Sequence, residues 1–212
     1  MARQVRAEVT REAVLGGAAE VFVRLGYANA SLNEIIDEAG VTKGALYFHF
    51  GSKEELARGV IDAGCERFAV AARSKMEQRA PALETAIEVS VLNASLSESD
   101  RIVRAMFRLL VEIGDYHGNE VAPFGSWFDS MLDLMQRAHD EGDLEPSIDV
   151  EGLAYFLLQS LVGARTVSAA LDRAEQLTEQ IESMWSILLP ALVPADKLGY
   201  FLQFVSRRLR VS

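Results

Sequence analysis

The residues best suited to chemistry lie close together. Thr42, Lys43, Tyr47, His49 and Lys53 bring hydroxyl, ammonium and imidazole donors into one short stretch. Leu46 and Phe50, four apart, form a buried stripe there, and Thr42 is placed to cap the helix that carries them. Thr42, Lys43, Gly44, Tyr47 and His49 are left over from that stripe, and such a face suits phosphate oxygens. His49 has no second histidine or carboxylate pair placed with it for metal binding or proton transfer. The element upstream must position this face. Leu32, Ile35, Ile36 and Ala39 predict a helix over 32–39, with Ser31 and Glu34 spaced as a capping box. Gly40 and Val41 leave a tight connection, with glycine where a left-handed residue is needed. Two short helices joined in this way form a helix-turn-helix, whose second member enters a DNA major groove. Lys53 opens the next helix, where its charge adds to the positive end of the helix dipole.

Catalysis finds no comparable constellation. Asp129 and Asp133 stand four apart, but no second acidic cluster completes a metal site. Nucleophile elbow, phosphate-binding glycine loop and zinc spacing are all missing. His117 and His139-Asp140-Glu141 read as loop and helix-end residues. No enzyme activity, metal or cofactor is expected. The single cysteine, Cys65, excludes an intramolecular disulfide framework and fits a reducing cytoplasm; it reads as a small buried helix residue. At 212 residues, half of them hydrophobic, the chain is one or two domains with a substantial core. No apolar run of membrane-spanning length is expected, and the N-terminus, charged from Arg3 onward, has no signal-peptide core.

The net charge of -10 by itself disfavours a nucleic-acid partner. Its distribution points the other way. Residues 1–60 hold seven basic and eight acidic side chains, while the rest holds 14 and 23. A near-neutral tip with Arg3, Arg6, Lys43 and Lys53 on one face, beside an acidic body, orients the tip towards DNA and weakens non-specific binding. Residues 1–9 lack apolar periodicity and read as a mobile arm, whose Arg3 and Arg6 reach phosphates or a minor groove.

Gly26-Tyr27, Ser31-Leu32, Ile35-Ile36, the run 39–50 and Ser52-Lys53-Glu54-Glu55-Leu56 together resemble the N-terminal signature of TetR-type transcriptional repressors. A thinner resemblance, carried by residues 1–4, 124–127, 148–150 and Met184-Trp185, is to the γ-butyrolactone autoregulator receptors, a TetR branch of antibiotic-producing bacteria. The first resemblance implies that Tyr47 and His49 bond phosphates, Lys43 a phosphate or base edge, and Thr42 a phosphate while it caps. Ser31 is counted among the same DNA-facing positions. Gly44 and Ala45 are small enough to bring the helix backbone close to the bases. Phe48 stands where many relatives carry tyrosine or histidine, and lacks the hydroxyl of the former. The second resemblance implies that Trp127 lines an effector cavity. Helical phase adds Phe107, Leu110, Met131, Phe156 and Ser160, with Gln159 and Ser160 as its polar groups.

The remaining elements also read as helices. Val14, Ala18, Val21, Phe22 and Leu25 form one stripe up to Gly26, and Gly16-Gly17 within it costs about 1 kcal/mol per glycine relative to alanine, which points to a close helix approach. Further helices are expected from Ser52, over 83–96 and 102–113, from Pro123, over 150–171 and 174–189 (ended by Pro190), and over 198–209. No segment alternates with period two. The expected fold is all-α. An N-terminal three-helix helix-turn-helix DNA-binding unit, 1–51, joins a C-terminal helical bundle, 52–212, for ligand binding and dimerisation. The expected partners are double-stranded operator DNA, a small γ-butyrolactone-like effector and a second copy of the chain, with no membrane. An effector-released, cytoplasmic, homodimeric repressor follows. A pseudo-receptor for an antibiotic and a multidrug-sensing repressor are the alternatives.

Overall fold

The computed structural model describes residues 2–76, 80–114 and 123–208, without the side chains at 2, 3 and 208. The side chain of Arg3 and the expected loop residues Tyr116, His117 and Gly118 therefore lie outside the described residues. Among the described residues all regular structure is helical: α1 (Ala2–Asn29), α2 (Leu32–Ala39), α3 (Lys43–His49), α4 (Lys53–Met76), α5 (Ala82–Ser99), α6 (Arg101–Ile113), α7 (Pro123–Asp140), α8 (Val150–Ala170), α9 (Leu177–Leu192) and α10 (Ala195–Arg208). A 3-10 turn, Ala174–Gln176, precedes α9. The chain divides into two compact units, residues 1–69 with 99–119 and residues 70–98 with 120–212.

In the first unit, α1 starts at Ala2, so the expected mobile arm is helical instead. Ala2, Gln4, Arg6 and Ala7 are all good helix formers, and nothing in the stretch breaks a helix. Val14, Leu15, Ala18, Val21 and Phe22 are buried along α1, together with Ile35 of α2 and Leu46 of α3. The paired glycines have a reason: a Cβ at Gly17 would stand 2.7 Å from the backbone of Ala39, so α2 lies against α1 where no side chain fits. α6 packs along the other side of the same unit, burying Ile102, Val103, Met106 and Leu109. Asp100 starts α6 by accepting from the amides of Ile102 (2.8 Å) and Val103 (3.3 Å), and it pairs with Arg67 (2.9 Å). Burial alone would raise its carboxyl, but the Arg67 guanidinium and the two amides hold it below the ordinary range.

α1 bends at Gly26, and the corner leading into α2 is held by α6. Glu112 accepts from the Tyr27 amide (2.5 Å), and Arg108 donates to the Val23 carbonyl. The same two side chains pair with each other at 2.6 Å.

The second unit is a bundle in which α8 packs on α7 and α9, and α9 on α10. Its core joins Leu83 and Ile87 of α5, Leu134 and Met135 of α7, Leu157 of α8, Ile181 and Trp185 of α9, and Phe201 of α10. α9 runs through Pro190 to Leu192 rather than stopping there. Proline in the last turn forfeits one amide bond, which a helix anchored by buried Leu189 and Leu192 tolerates. α8 is long and apolar enough by length and composition to cross a membrane, against the expectation from sequence; among the described residues it is the one such helix. Leu153, Ala154, Leu157 and Leu161 bury one side of it in the bundle.

The close approach at Gly17 makes a measurable prediction. Gly17→Ala should lower unfolding free energy by about 1–3 kcal/mol in urea titration, although alanine is the better helix former. An unchanged or raised midpoint would show that α2 does not lie where the geometry puts it.

Candidate nucleic-acid interface

Three local devices fix the two short helices. Ser31 closes the capping box: its hydroxyl accepts from the Glu34 amide (3.2 Å), and the Glu34 carboxylate accepts from the Ser31 amide (3.0 Å). The Ser31 hydroxyl and amide hold the Glu34 carboxyl below its ordinary value. Gly40 takes the left-handed conformation the turn requires (φ 63°), and the amide of Val41 reaches back to the Ile36 carbonyl (3.3 Å). Thr42 then caps α3, its hydroxyl accepting from the Ala45 amide (3.2 Å). That hydroxyl keeps its own proton to donate outward.

With Leu46 fully buried, the phase of α3 turns Lys43, Gly44, Tyr47 and Phe48 to solvent. Ala45 and His49 lie half-buried at its flank. The Lys43 ammonium lies 5.9 Å from the centre of the Tyr47 ring, and the His49 ring meets Phe48 edge-on at 5.0 Å. Gly44 sits in the middle of the exposed face, and a Cβ there would meet nothing within 4 Å. The folded chain itself gives no steric reason for a glycine at that place. Arg6 is exposed in the first turns of α1, and Ser31 is exposed at the start of α2.

Lys53 is engaged otherwise than the sequence suggests. Its ammonium donates to the carbonyls of Tyr27 (2.8 Å), Ala28 (3.3 Å) and Ala30 (2.9 Å) and lies 4.6 Å from the centre of the Tyr27 ring. Three of its donors are spent on the end of α1, where cations are favoured, rather than directed at solvent. Sequence shows a lysine at a helix start but not the distant carbonyls that it meets. The corner-holding pair Arg108 and Glu112 went unnoticed for the same reason.

The expected effector residues are divided between the two units. Phe107 and Leu110 are buried in the first unit, Phe107 edge-on to Phe68 at 6.3 Å. In the second unit Met131 is buried, and half-buried Trp127 meets Phe124 edge-on at 5.5 Å. Ser160 is half-buried, but Phe156, at the flank of the buried stripe of α8, is 48% exposed, and Gln159, further round, is exposed. α8 is apolar nearly all round, so its pattern did not reveal which side faces the bundle. A residue that sequence reading passed over is Arg165 of α8, which donates to Asn93 and to the Ser97 hydroxyl (3.2 Å) on α5. Burial pulls its guanidinium down to about 9. An arginine in so apolar a helix was the available signal. No cluster of three or more histidine, cysteine or acidic side chains able to hold a metal occurs among the described residues.

Comparison with known proteins places this geometry. Residues 14–60 match the bacterial regulatory proteins of the tetR family, and residues 80–194 match the tetracyclin repressor-like C-terminal domain. The A-factor receptor protein of Streptomyces griseus is 32% identical over 195 residues, 91% of this chain and 67% of that protein. A crystallised γ-butyrolactone receptor described as ArpA-like superposes with a TM-score of 0.87 at 29% identity, covering 98% of this chain and 100% of that one. CprB from Streptomyces coelicolor, a TetR family protein solved in complex with its biological operator sequence, gives 0.86 at 31% identity with the same coverage.

Two substitutions separate the roles of these side chains. Gly44→Ala should keep or raise thermal stability, by up to about 1 kcal/mol, while weakening operator binding in fluorescence anisotropy. Equal operator affinity would remove the argument for close approach at Gly44. Lys53→Met should cost about 1–3 kcal/mol of stability by stranding the carbonyls at the end of α1. An unaltered melting curve would return Lys53 to the phosphate-binding role.

Proposed function

The chain belongs to the TetR family of bacterial regulatory proteins, and on that premise we propose that it is a transcriptional repressor that binds operator DNA as a homodimer and is released by a small γ-butyrolactone-like effector. The observation that carries the reading is the exposed face of α3, held by the Thr42 cap and the buried Leu46, with Lys43, Gly44 and Tyr47 turned outward. In this reading Tyr47, His49 and Thr42 take phosphates, Lys43 takes a phosphate or base edge, and Gly44 and Ala45 admit the bases. Arg6 adds a phosphate contact from α1, whereas the hydroxyl (2.7 Å) and amide (3.0 Å) of Ser31 both donate to the Glu34 carboxylate and serve the start of α2. Residues 1–51 read the DNA, and residues 52–212 bind the effector and dimerise.

Dimerisation is supported by the side of α8 that the bundle leaves uncovered. Phe156, Gln159, Thr166 and Val167 are exposed there, and a Cβ at Gly163 among them would meet nothing within 4 Å. A second copy of the same helix accounts for a glycine and an apolar surface at one place, and α9 adds exposed Ile187. Phe156 and Gln159 pass in this way from the effector site to the dimer face. Trp127 and Met131 stay with the effector, and α4, running from the first unit into the second, is one of the three places where the chain passes between them. Two-fold symmetry sets the recognition helices one turn of DNA, or a multiple of it, apart. An effector that favours a form with the wrong spacing then empties the operator by population shift.

The effector class rests on relatives that are themselves receptors for A-factor or γ-butyrolactones. The test is a gel shift with the DNA immediately upstream of the protein's own gene, with and without γ-butyrolactone extract. A specific shift abolished by the extract is expected. A shift that persists would keep the repressor and replace the effector by an antibiotic or other drug, as in a pseudo-receptor or multidrug sensor. No specific shift even at low salt would sink the operator-binding reading.

A further inference from the structure

Phe48 is the most exposed of the large apolar side chains in the described residues, with 74% of its surface open to solvent. Nothing in the folded chain accounts for an aromatic ring there. It is not a frayed end either: α3 is capped at Thr42, and its last turn closes through the Phe50 amide on the Leu46 carbonyl (2.9 Å). The neighbouring His49 ring, edge-on at 5.0 Å and 85°, props the Phe48 ring in place, and His49 in turn lies against Phe50 of the core. The outward face therefore presents an apolar ring one turn after Gly44, on the same side of the helix.

The chemistry open to that face is narrow. Of the four exposed residues of α3, Gly44 has no side chain and Phe48 can neither donate nor accept a hydrogen bond, which leaves Lys43 and Tyr47 beside the Thr42 cap. In the major groove the one apolar feature that distinguishes a base pair is the 5-methyl group of thymine. We propose that Phe48 is a specificity-determining residue that reads a thymine 5-methyl group in each operator half-site. This deepens the operator-binding reading and rests on α3 lying in the major groove. A tyrosine hydroxyl at this position would favour a polar partner; the bare ring selects a methyl.

The experiment uses the full-length protein and duplexes selected by it from a random pool. Each thymine of the selected half-site is replaced in turn by deoxyuridine, which removes the methyl and leaves the base-pairing edge unaltered. One thymine should stand out, its replacement in both half-sites weakening binding about 3- to 10-fold in all. 5-Bromodeoxyuridine, whose bromine is close to a methyl in size, should restore the affinity. In Phe48→Ala the thymine and deoxyuridine duplexes should bind alike, and Phe48→Leu should retain part of the discrimination. Circular dichroism melts check that both variants fold, as the exposure of the side chain leads one to expect. If no thymine is sensitive to loss of its methyl, or if Phe48→Ala discriminates as well as the parent, Phe48 does not read it. If the pool yields no selected sequence, the operator-binding reading falls and this inference with it.

Discussion

The structure of the reading head depends on one corner of the chain. Between α1 and α2 the backbone turns sharply, and the carbonyls it leaves unpaired are gathered by a single ammonium group, that of Lys53. From the other side, the carboxylate of Glu112 takes the Tyr27 amide. Two helices distant in sequence, α4 and α6, thus converge on four residues of backbone. A hydrogen bond to a charged group contributes about 1.5–3 kcal/mol when sheltered, less where solvent reaches it. Several of them at one point define where α2 starts, and so where α3 points. α6 belongs to this unit physically although it lies some seventy residues further along the chain, which is roughly the span a local pattern cannot see.

Much of this was legible in the sequence, and the boundary between what was and what was not has physical causes. Ser31 with Glu34, Gly40 and Thr42 act within four residues of themselves, and each performs the role its type and spacing foretell. Leu46 is buried because a seven-residue helix has one inward position per turn and leucine occupies it. The failures occur where partners are remote or where pattern is degenerate. Lys53 looks like a phosphate ligand until the carbonyls of α1 are placed beside it. Phe156 and Gln159 look inward because α8 offers apolar residues on every side, so its phase is set by the bundle and not by its own sequence. The helical start of α1 shows the opposite weakness: a stretch with no apolar rhythm can still be helix when its residues favour it and a long helix follows.

The acidic surplus also acquires a place. A chain of net charge -10 that binds a polyanion must keep most of its carboxylates away from the contact, and the fold does this by composition of its parts. Several acidic groups of the reading head are consumed internally: Glu34 in a cap, Glu112 on the Tyr27 amide, and Asp100 on a helix start and Arg67. A carboxylate so engaged repels a phosphate less than one free to approach it.

The two tryptophans of the chain both belong to the second unit, Trp127 half-buried and Trp185 fully enclosed. The reading head has none. Intrinsic tryptophan emission is therefore a spatially filtered signal, reporting polarity and order in one half of the molecule while the other half stays optically dark. Excitation at the red edge of the absorption band, where phenols do not absorb, reads the bundle alone; shorter wavelengths reach Tyr27 and Tyr47 of the head only together with Tyr155, Tyr200 and both tryptophans of the bundle.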